Sequence, residues 1–313
     1  MRLLLLGCTG LVGRELVPTL RDAGHQLTLV SRRSRAAVGW AQDPDLTWVE
    51  VDPAQASSWE QGSALQQALA ASDGVVNLAG EPIAEQRWTA AHLQLLHNSR
   101  IATTRHLAAA MAALTTPPAV LVNASAVGFY GTSEDAAFVE SSGAGTDVLG
   151  HLCADWEAAA AARPAATRLV VVRIGIVLAA DGGALGKMLP VFRAGFGGPI
   201  GSGRQWMSWI HRSDLCALIT TALADQRWEG VVNGVAPQPV SMATFASNLG
   251  RCLGRPSLLP VPGPVLHLLL GDGARVVLDG QQVRSERLAQ LGFSFRFPDL
   301  PEALAAATTT RSR

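Results

Sequence analysis

The stretch that decides the fold is Leu3-Leu4-Leu5-Leu6-Gly7-Cys8-Thr9-Gly10-Leu11-Val12-Gly13-Arg14-Glu15-Leu16-Val17. Four leucines bounded by glycine suit a short strand buried on both faces, as in a parallel sheet. From Gly10 to Arg21 the apolar residues Leu11, Val12, Leu16, Val17 and Leu20 recur at helical spacing. The turn between strand and helix has glycine at every third position. Gly7 permits the tight turn, Gly10 lets a phosphate approach the backbone, and Gly13 lets the helix pack closely on the strand. Thr9, Leu11 and Val12 complete this turn, and the first helical N–H groups and the helix dipole favour an anion there. The spacing is GxxGxxG, and its position after a strand and before an amphipathic helix gives it weight.

Working outward, strand-like runs fall at Gln26 to Val30, Leu46 to Val51, Gly74 to Leu78, Ala119 to Asn123 and Leu169 to Arg173. Helix-like runs fall between them at Ala64 to Ala71, Thr89 to Ala113 and Leu149 to Ala162. This alternation predicts an α/β fold, a Rossmann-type doubly wound parallel sheet with right-handed crossovers. After Gly175 the texture changes to loop-rich sequence with many glycines, Pro190 and Pro199, and one short helix around Met188 to Ala194. Residues 212–235 read as one helix and one strand returning to the sheet. The expected division is therefore 1–175 plus 212–235 for the dinucleotide-binding domain, with 176–211 plus 236–313 as a smaller substrate lobe.

The composition bounds the function. Of 313 residues, 48% are hydrophobic and 16% charged, enough for a sizeable core. Lys plus Arg and Asp plus Glu are 25 each, so no global charge favours nucleic acid or an anionic membrane. Cys8, Cys153, Cys216 and Cys252 are scattered, without metal-ligand spacing, which fits a reducing compartment. The Leu3 to Leu6 run is too short for a secretory h-region, and the apolar run near 265–270 is too short for a membrane span. A soluble cytoplasmic protein acting on a small molecule is expected, without nucleic-acid or membrane partners and with no metal.

The second strand ends at Val30-Ser31-Arg32-Arg33. An acidic residue near here would hold a ribose 2′-hydroxyl, and none is present. Ser31, Arg32 and Arg33 instead suit a 2′-phosphate, so the expected cofactor is NADP(H). Asp52 after the third strand faces the adenine in this reading. Asn77, Leu78, Ala79 and Gly80 after the fourth strand allow close approach to ribose and phosphate.

The motifs Gly7 to Gly13, Asn77 to Gly80 and Ser125-Ala126-Val127-Gly128-Phe129-Tyr130-Gly131 resemble an extended short-chain dehydrogenase/reductase. Asn77 to Ile83, Arg87-Trp88, Ser99-Arg100, Trp156-Glu157, Gly197 to Gly203, Trp209-Ile210-His211 and Asn233 to Pro237 resemble its nucleoside-diphosphate-sugar epimerase-like branch, which carries a C-terminal domain of unknown function. The resemblance spans essentially the whole chain. It implies NADP(H) held by the glycine turn, Ser31, Arg32, Asn77, Leu78 and Arg100. It also implies a sugar nucleotide as a possible substrate class and a monomer or homodimer.

The wider superfamily uses Tyr and Lys as YxxxK on a helix, which places both on one face. Here those positions read Leu149 and Cys153, and the one tyrosine, Tyr130, lies in a strand-end loop. Three readings follow. Tyr130 acts as a displaced acid/base with Ser125 polarising a carbonyl. Another group, Cys153, His151, Glu81 or His211, holds the proton. Or the chain is a non-catalytic NADPH-binding regulator or scaffold. In the second lobe, Phe192, Phe196, Trp206 and Trp209 are expected to line the pocket, and Arg193 and Arg204 to meet an anionic substrate. A helix starts near His211, with Ser213 or Asp214 as its expected cap.

Overall fold

Strand β1 (Arg2–Leu6) shows why the sheet has helices on both faces. Its alternation sends Leu3 and Leu5 into one core and Leu4 and Leu6 into another. A computed structural model describes residues 1–38 and 46–309, so the last four residues of the expected lobe lie outside the described residues. The parallel sheet continues through β2 (Gln26–Ser31), β3 (Leu46–Glu50), β4 (Gly74–Asn77), β5 (Val120–Ala126), β6 (Arg168–Ile174) and β7 (Gly230–Gly234). In space the order is β3-β2-β1-β4-β5-β6-β7. The order reverses between β1 and β4, the switch point at which open α/β sheets bind ligands beyond the strands' carboxyl ends.

The Leu3–Leu5 face is covered by α1 (Gly13–Asp22) through Leu16, Val17 and Leu20. It is also covered by α7 (Arg212–Ala224) through Leu215, Leu218 and Ile219. The Leu4–Leu6 face is covered by α2 (Ala64–Ala70), α4 (Thr103–Ala112) and α5 (Val148–Ala161), through residues such as Leu65, Leu107 and Ala160. Each fully buried leucine contributes about 1.5–3 kcal/mol of burial energy, so the two faces carry most of the stability.

The long helix expected over Thr89 to Ala113 is interrupted in its ladder. It consists of α3 (Ala90–His97), a π-helical turn at Asn98–Ala102, and α4. Helix α6 (Gly183–Arg193) begins five residues before the expected Met188. Leu185, Leu189 and Phe192 form a buried stripe, and packing of that stripe overrides the glycines and the Pro190 that argue for loop. The stripe joins Trp209, Met242 and Phe245, with α8 (Met242–Leu253) and the final helix Leu300–Thr308, in a separate core for the C-terminal lobe. Not all of 236–313 sits there. Leu288 belongs to the main core, with Leu291, Phe293 and Phe295 packed against it. The buried Asp214 carboxylate accepts from the Arg296 amide (2.7 Å) and the Phe297 amide (3.1 Å), tying α7 to that segment. Asp214 therefore does not cap α7. The cap is His211, whose ring Nδ1 accepts from the Ser213 amide at 3.2 Å. No helix among the described residues is long and apolar enough to cross a membrane.

Candidate functional site

The glycine turn has three glycines with three different constraints. Gly7 has φ 72°, and a Cβ there would overlap the Leu78–Ala79 peptide. At Gly13 a Cβ would collide with the Cys8 carbonyl, so helix α1 sits directly on the turn. Gly10 is exposed, and a Cβ there would meet only the Gly7 oxygen at 3.6 Å. The space over Gly10 is the open side of the turn, next to half-buried Thr9. Helix α1 starts without a side-chain cap at Val12; its Arg14 and Glu15 amides donate to the Gly10 and Val12 carbonyls (both 3.1 Å), so the amides an anion can meet are those of the turn before them. Leu11 and Val12 turn the other way: Leu11 packs on Gly182 and Gly183, and Val12 on the main core. These features fit a dinucleotide pyrophosphate.

At the end of β2, Ser31 is buried and its Oγ accepts from the Arg33 amide at 3.0 Å. The Arg33 guanidinium donates to the Ala37 carbonyl (2.9 Å), away from the turn. Arg32 is half exposed and pairs with Glu81 at 2.9 Å. Since β1 lies between β2 and β4, this pair bridges the strands on either side of the glycine turn. It also places Glu81, one of the alternative proton carriers, beside the glycine turn. Asp52 closes a local turn by accepting from the Ala54 amide at 3.0 Å.

Asn77 is fully buried, and its side chain is committed to structure. It donates to Thr104 Oγ1 (2.9 Å) and Asn123 Oδ1 (2.7 Å) and accepts from the Ala79 amide (3.2 Å). This polar knot shapes the Leu78–Ala79–Gly80 backbone that faces Gly7. Arg100, on the π-helical turn, is buried beneath the same loop. It donates to the Glu81 carbonyl at 2.8 Å and lies over Trp156 at 5.3 Å. A Cβ at Gly80 would come within 3.0 Å of its guanidinium. Burial lowers its pKa to about 10, still charged at neutral pH. Arg100 thus clamps the loop from below instead of reaching outward.

Ser125 and Tyr130 come together, but in the interior. Ser125 Oγ donates to Glu157 Oε1 (2.6 Å), and Glu157 accepts two bonds from Arg173, at 2.9 and 2.8 Å. Arg173 also donates to the Tyr130 hydroxyl (2.9 Å), which donates to Asn233 Oδ1 (2.7 Å). Burial raises the Tyr130 pKa, against the pull of Arg173. Both hydroxyl protons are therefore engaged inside a network that ties β5, α5, β6 and β7 together. Glu157, Arg173 and Asn233 were not singled out as site residues by sequence. Trp156-Glu157 and Asn233-Gly234 were available only as shared motifs, and Arg173 as a charge closing an apolar run.

Beside this network is a cavity of about 170 Å³ at the carboxyl ends of β5 and β6. Ala126, Val127, Ile174 and Ile176 form its floor, and Leu149 and Cys153 of α5 one wall. The opposite wall comes from the C-terminal lobe through Trp206, Arg275, Asp279 and Gln281. Of the proposed proton carriers, Cys153 is the one that lines it, and burial raises its thiol pKa to about 11. His211 is buried as a helix cap against Phe297 (4.2 Å), and His151 is exposed on α5. Trp209 is in the lobe core, its indole N–H donating to the Gln238 carbonyl, and Phe192 is there too. Arg204 is exposed and pairs with Glu134 at 3.4 Å, and Phe196 points to the outside. Of the four aromatics expected in the pocket, Trp206 alone lines it.

Residues 3–233 match the NAD dependent epimerase/dehydratase family, and residues 261–307 match a domain of unknown function, DUF1731. The chain is 41% identical to the chloroplastic epimerase family protein SDR39U1 homolog of Arabidopsis thaliana, covering 96% of this chain and 84% of that one. It is 39% identical to epimerase family protein SDR39U1 of Homo sapiens, over 97% and 98% of the two chains. The crystal structure of the human protein with NADPH superposes with a TM-score of 0.85 at 38% identity, covering 98% of this chain and 99% of that one. The turn, the sheet order and the C-terminal lobe, together with these relatives, establish that the chain belongs to the NAD dependent epimerase/dehydratase family.

Proposed function

We propose that the chain is an NADP(H)-dependent oxidoreductase of the epimerase-like, extended short-chain dehydrogenase/reductase type, acting on a small molecule in the cleft walled by the C-terminal lobe. The observation that carries the cofactor is the end of β2, where Arg32 stands beside the open glycine turn and no acid takes the position of a ribose partner. The NADPH bound by the human relative supports the same reading. When bound, the nicotinamide supplies or takes up a hydride. The turn amides hold the pyrophosphate, and Arg32, engaged with Glu81 through one Nη, keeps the rest of its fork for a 2′-phosphate. The Asn77 knot and Arg100 fix the loop that closes the groove. Ser125 and Tyr130 act as positioning residues through Glu157 and Arg173. Cys153, protonated at neutral pH, holds the proton nearest the cleft. The cavity is smaller than the roughly 300 Å³ at which sites for drug-sized ligands begin, so it takes a small molecule whole and a sugar nucleotide only by its sugar end.

A second reading, a non-catalytic NADPH-binding regulator, is favoured by the engagement of both hydroxyl protons and by Leu149 and Cys153 in place of a tyrosine–lysine pair. Titration with NADPH and NADH tests the cofactor. Arg32→Ala is expected to weaken NADPH by roughly ten- to a hundredfold, as for loss of a charge-assisted bond, and NADH by less than about threefold. Equal losses for both overturn the assignment. Turnover of NADPH with small carbonyl compounds, abolished in Cys153→Ala with affinity intact, supports the enzyme. Tight binding with no turnover across such a panel supports the regulator.

A further inference from the structure

Within the C-terminal lobe, residues 182–211 and 235–271 contain five Lys or Arg and no Asp or Glu, although the chain as a whole has 25 of each sign. Arg204 is engaged by Glu134. Arg193, Arg251 and Arg255 are exposed and form no salt bridge among the described residues. The same stretches carry the most exposed large apolar side chains: Leu258 at 82%, Leu268 at 73%, Phe196 at 65% and Leu259 at 52%.

These groups are brought together by the backbone. The Phe196 amide donates to the carbonyl of Val191, itself exposed, at 3.1 Å. The Leu259 amide donates to the Gly197 carbonyl at 3.2 Å, and a Cβ on Gly198 would strike the Leu259 backbone. The turn after α6 and the Leu258-Leu259 loop therefore form one tip, with Arg193 at its base. The Arg255 amide donates to the Gly250 carbonyl at 2.9 Å, which sets Arg251 and Arg255 beside the same loop.

We propose that this tip is a peripheral docking surface for an anionic lipid membrane. Phe196, Leu258 and Leu259 enter the boundary between headgroups and acyl chains, and Arg193, Arg251 and Arg255 meet the lipid phosphates. The geometry favours lipid over other occupants. The apolar side chains are exposed on the turn after α6 and on the Leu258-Leu259 loop, so a protein partner would need a matching pocket, whereas a bilayer yields. A second copy docked tip to tip would oppose three arginines with three arginines, with no acid in either stretch to relieve them.

The test is co-sedimentation of the full chain with vesicles of phosphatidylcholine alone and of phosphatidylcholine with about a third phosphatidylglycerol, in low and high salt. Each arginine near an anionic surface contributes about a fivefold factor in partition, so binding is expected to be at least roughly tenfold stronger on the anionic vesicles and to fall with salt. Arg193→Gln with Arg255→Gln removes the lipid preference, and Phe196→Asp with Leu258→Asp removes binding to both vesicles. Both double variants retain NADPH affinity, which shows that they fold. Absence of binding, equal binding to the two vesicles, or undiminished binding by the aspartate variant overturns the proposal. A dimer in solution that Phe196→Asp with Leu258→Asp converts to a monomer, without vesicle binding, overturns it in favour of a second copy.

Discussion

The groove over the glycine turn and the cleft beyond β5 and β6 lie at the same end of one sheet, yet they are built from different materials. The groove is shaped by backbone: Gly7 against the Leu78–Ala79 peptide, Gly13 against the Cys8 carbonyl, and Gly10 facing open space. The cleft is shaped by side chains from strand ends, from α5 and from the segment 275–281. Backbone geometry depends on a few glycines and tolerates change around them. A side-chain wall places no such demand on any one position, so its residues, Leu149 and Cys153 among them, can change while the fold beneath is unchanged. Behind the cleft lies the Ser125–Glu157–Arg173–Tyr130–Asn233 network, whose members hydrogen-bond to one another.

That contrast can be broken by mutation. The largest expected effect is in the network. Glu157→Ala leaves the buried Arg173 guanidinium without its carboxylate and is expected to cost about 3–5 kcal/mol in urea denaturation. A loss below about 1 kcal/mol would mean that the network does not hold the cleft. Next is the turn itself. Gly13→Ala forces a Cβ into the Cys8 carbonyl and is expected to cost about 3 kcal/mol. Gly10→Ala, by contrast, should change stability by less than about 0.5 kcal/mol while weakening NADPH more than about tenfold, because its methyl group enters the open side of the turn. The reverse pattern for the two glycines would refute the division of labour between them.

The smallest effect concerns the joint between sheet and lobe. Burial lowers the pKa of the His211 cap to about 4, from an ordinary 6.5. The unfolded chain therefore takes up this proton first. The contribution of His211 is complete above pH 6.5 and is lost as pH falls towards 4, on the order of 1–2 kcal/mol. His211→Asn keeps a capping acceptor without a titrating ring. Its stability should be flatter across this window, and an unchanged pH profile would remove His211 from the acid response.

The two regions were also unequally legible. The glycine turn could be read because the need for close approach and φ above zero is written in residue type alone. The apolar runs likewise located six strands of the main sheet and placed the seventh within 212–235, because burial on both faces leaves little choice of side chain. The network could not be read in this way. Its partners are separated by up to 103 residues, and serine, glutamate, arginine and tyrosine each have many ordinary surface uses. The lobe misled for a related reason. Glycines and prolines between 181 and 203 pointed to loop, while α6 is held by a stripe that finds its partners in α8 and Leu300–Thr308. Composition hid a charge asymmetry too: a balance of zero over the chain is compatible with acid-free stretches in one lobe.

The π-helical turn at Asn98–Ala102 has a consequence for the helix that contains it. A turn of this kind holds one residue more than an α-helical turn, and each residue advances the side-chain direction by about 100°. The extra residue sets the angular phase of α3 relative to α4, so that Ser99 and Arg100 reach Glu81 while Thr104 reaches Asn77. Deleting a single residue from that turn would rotate one set of contacts out of step with the other. The seating of the Leu78–Glu81 loop is thus encoded in a count of residues along a helix, and no inspection of charge or polarity at those positions would reveal it.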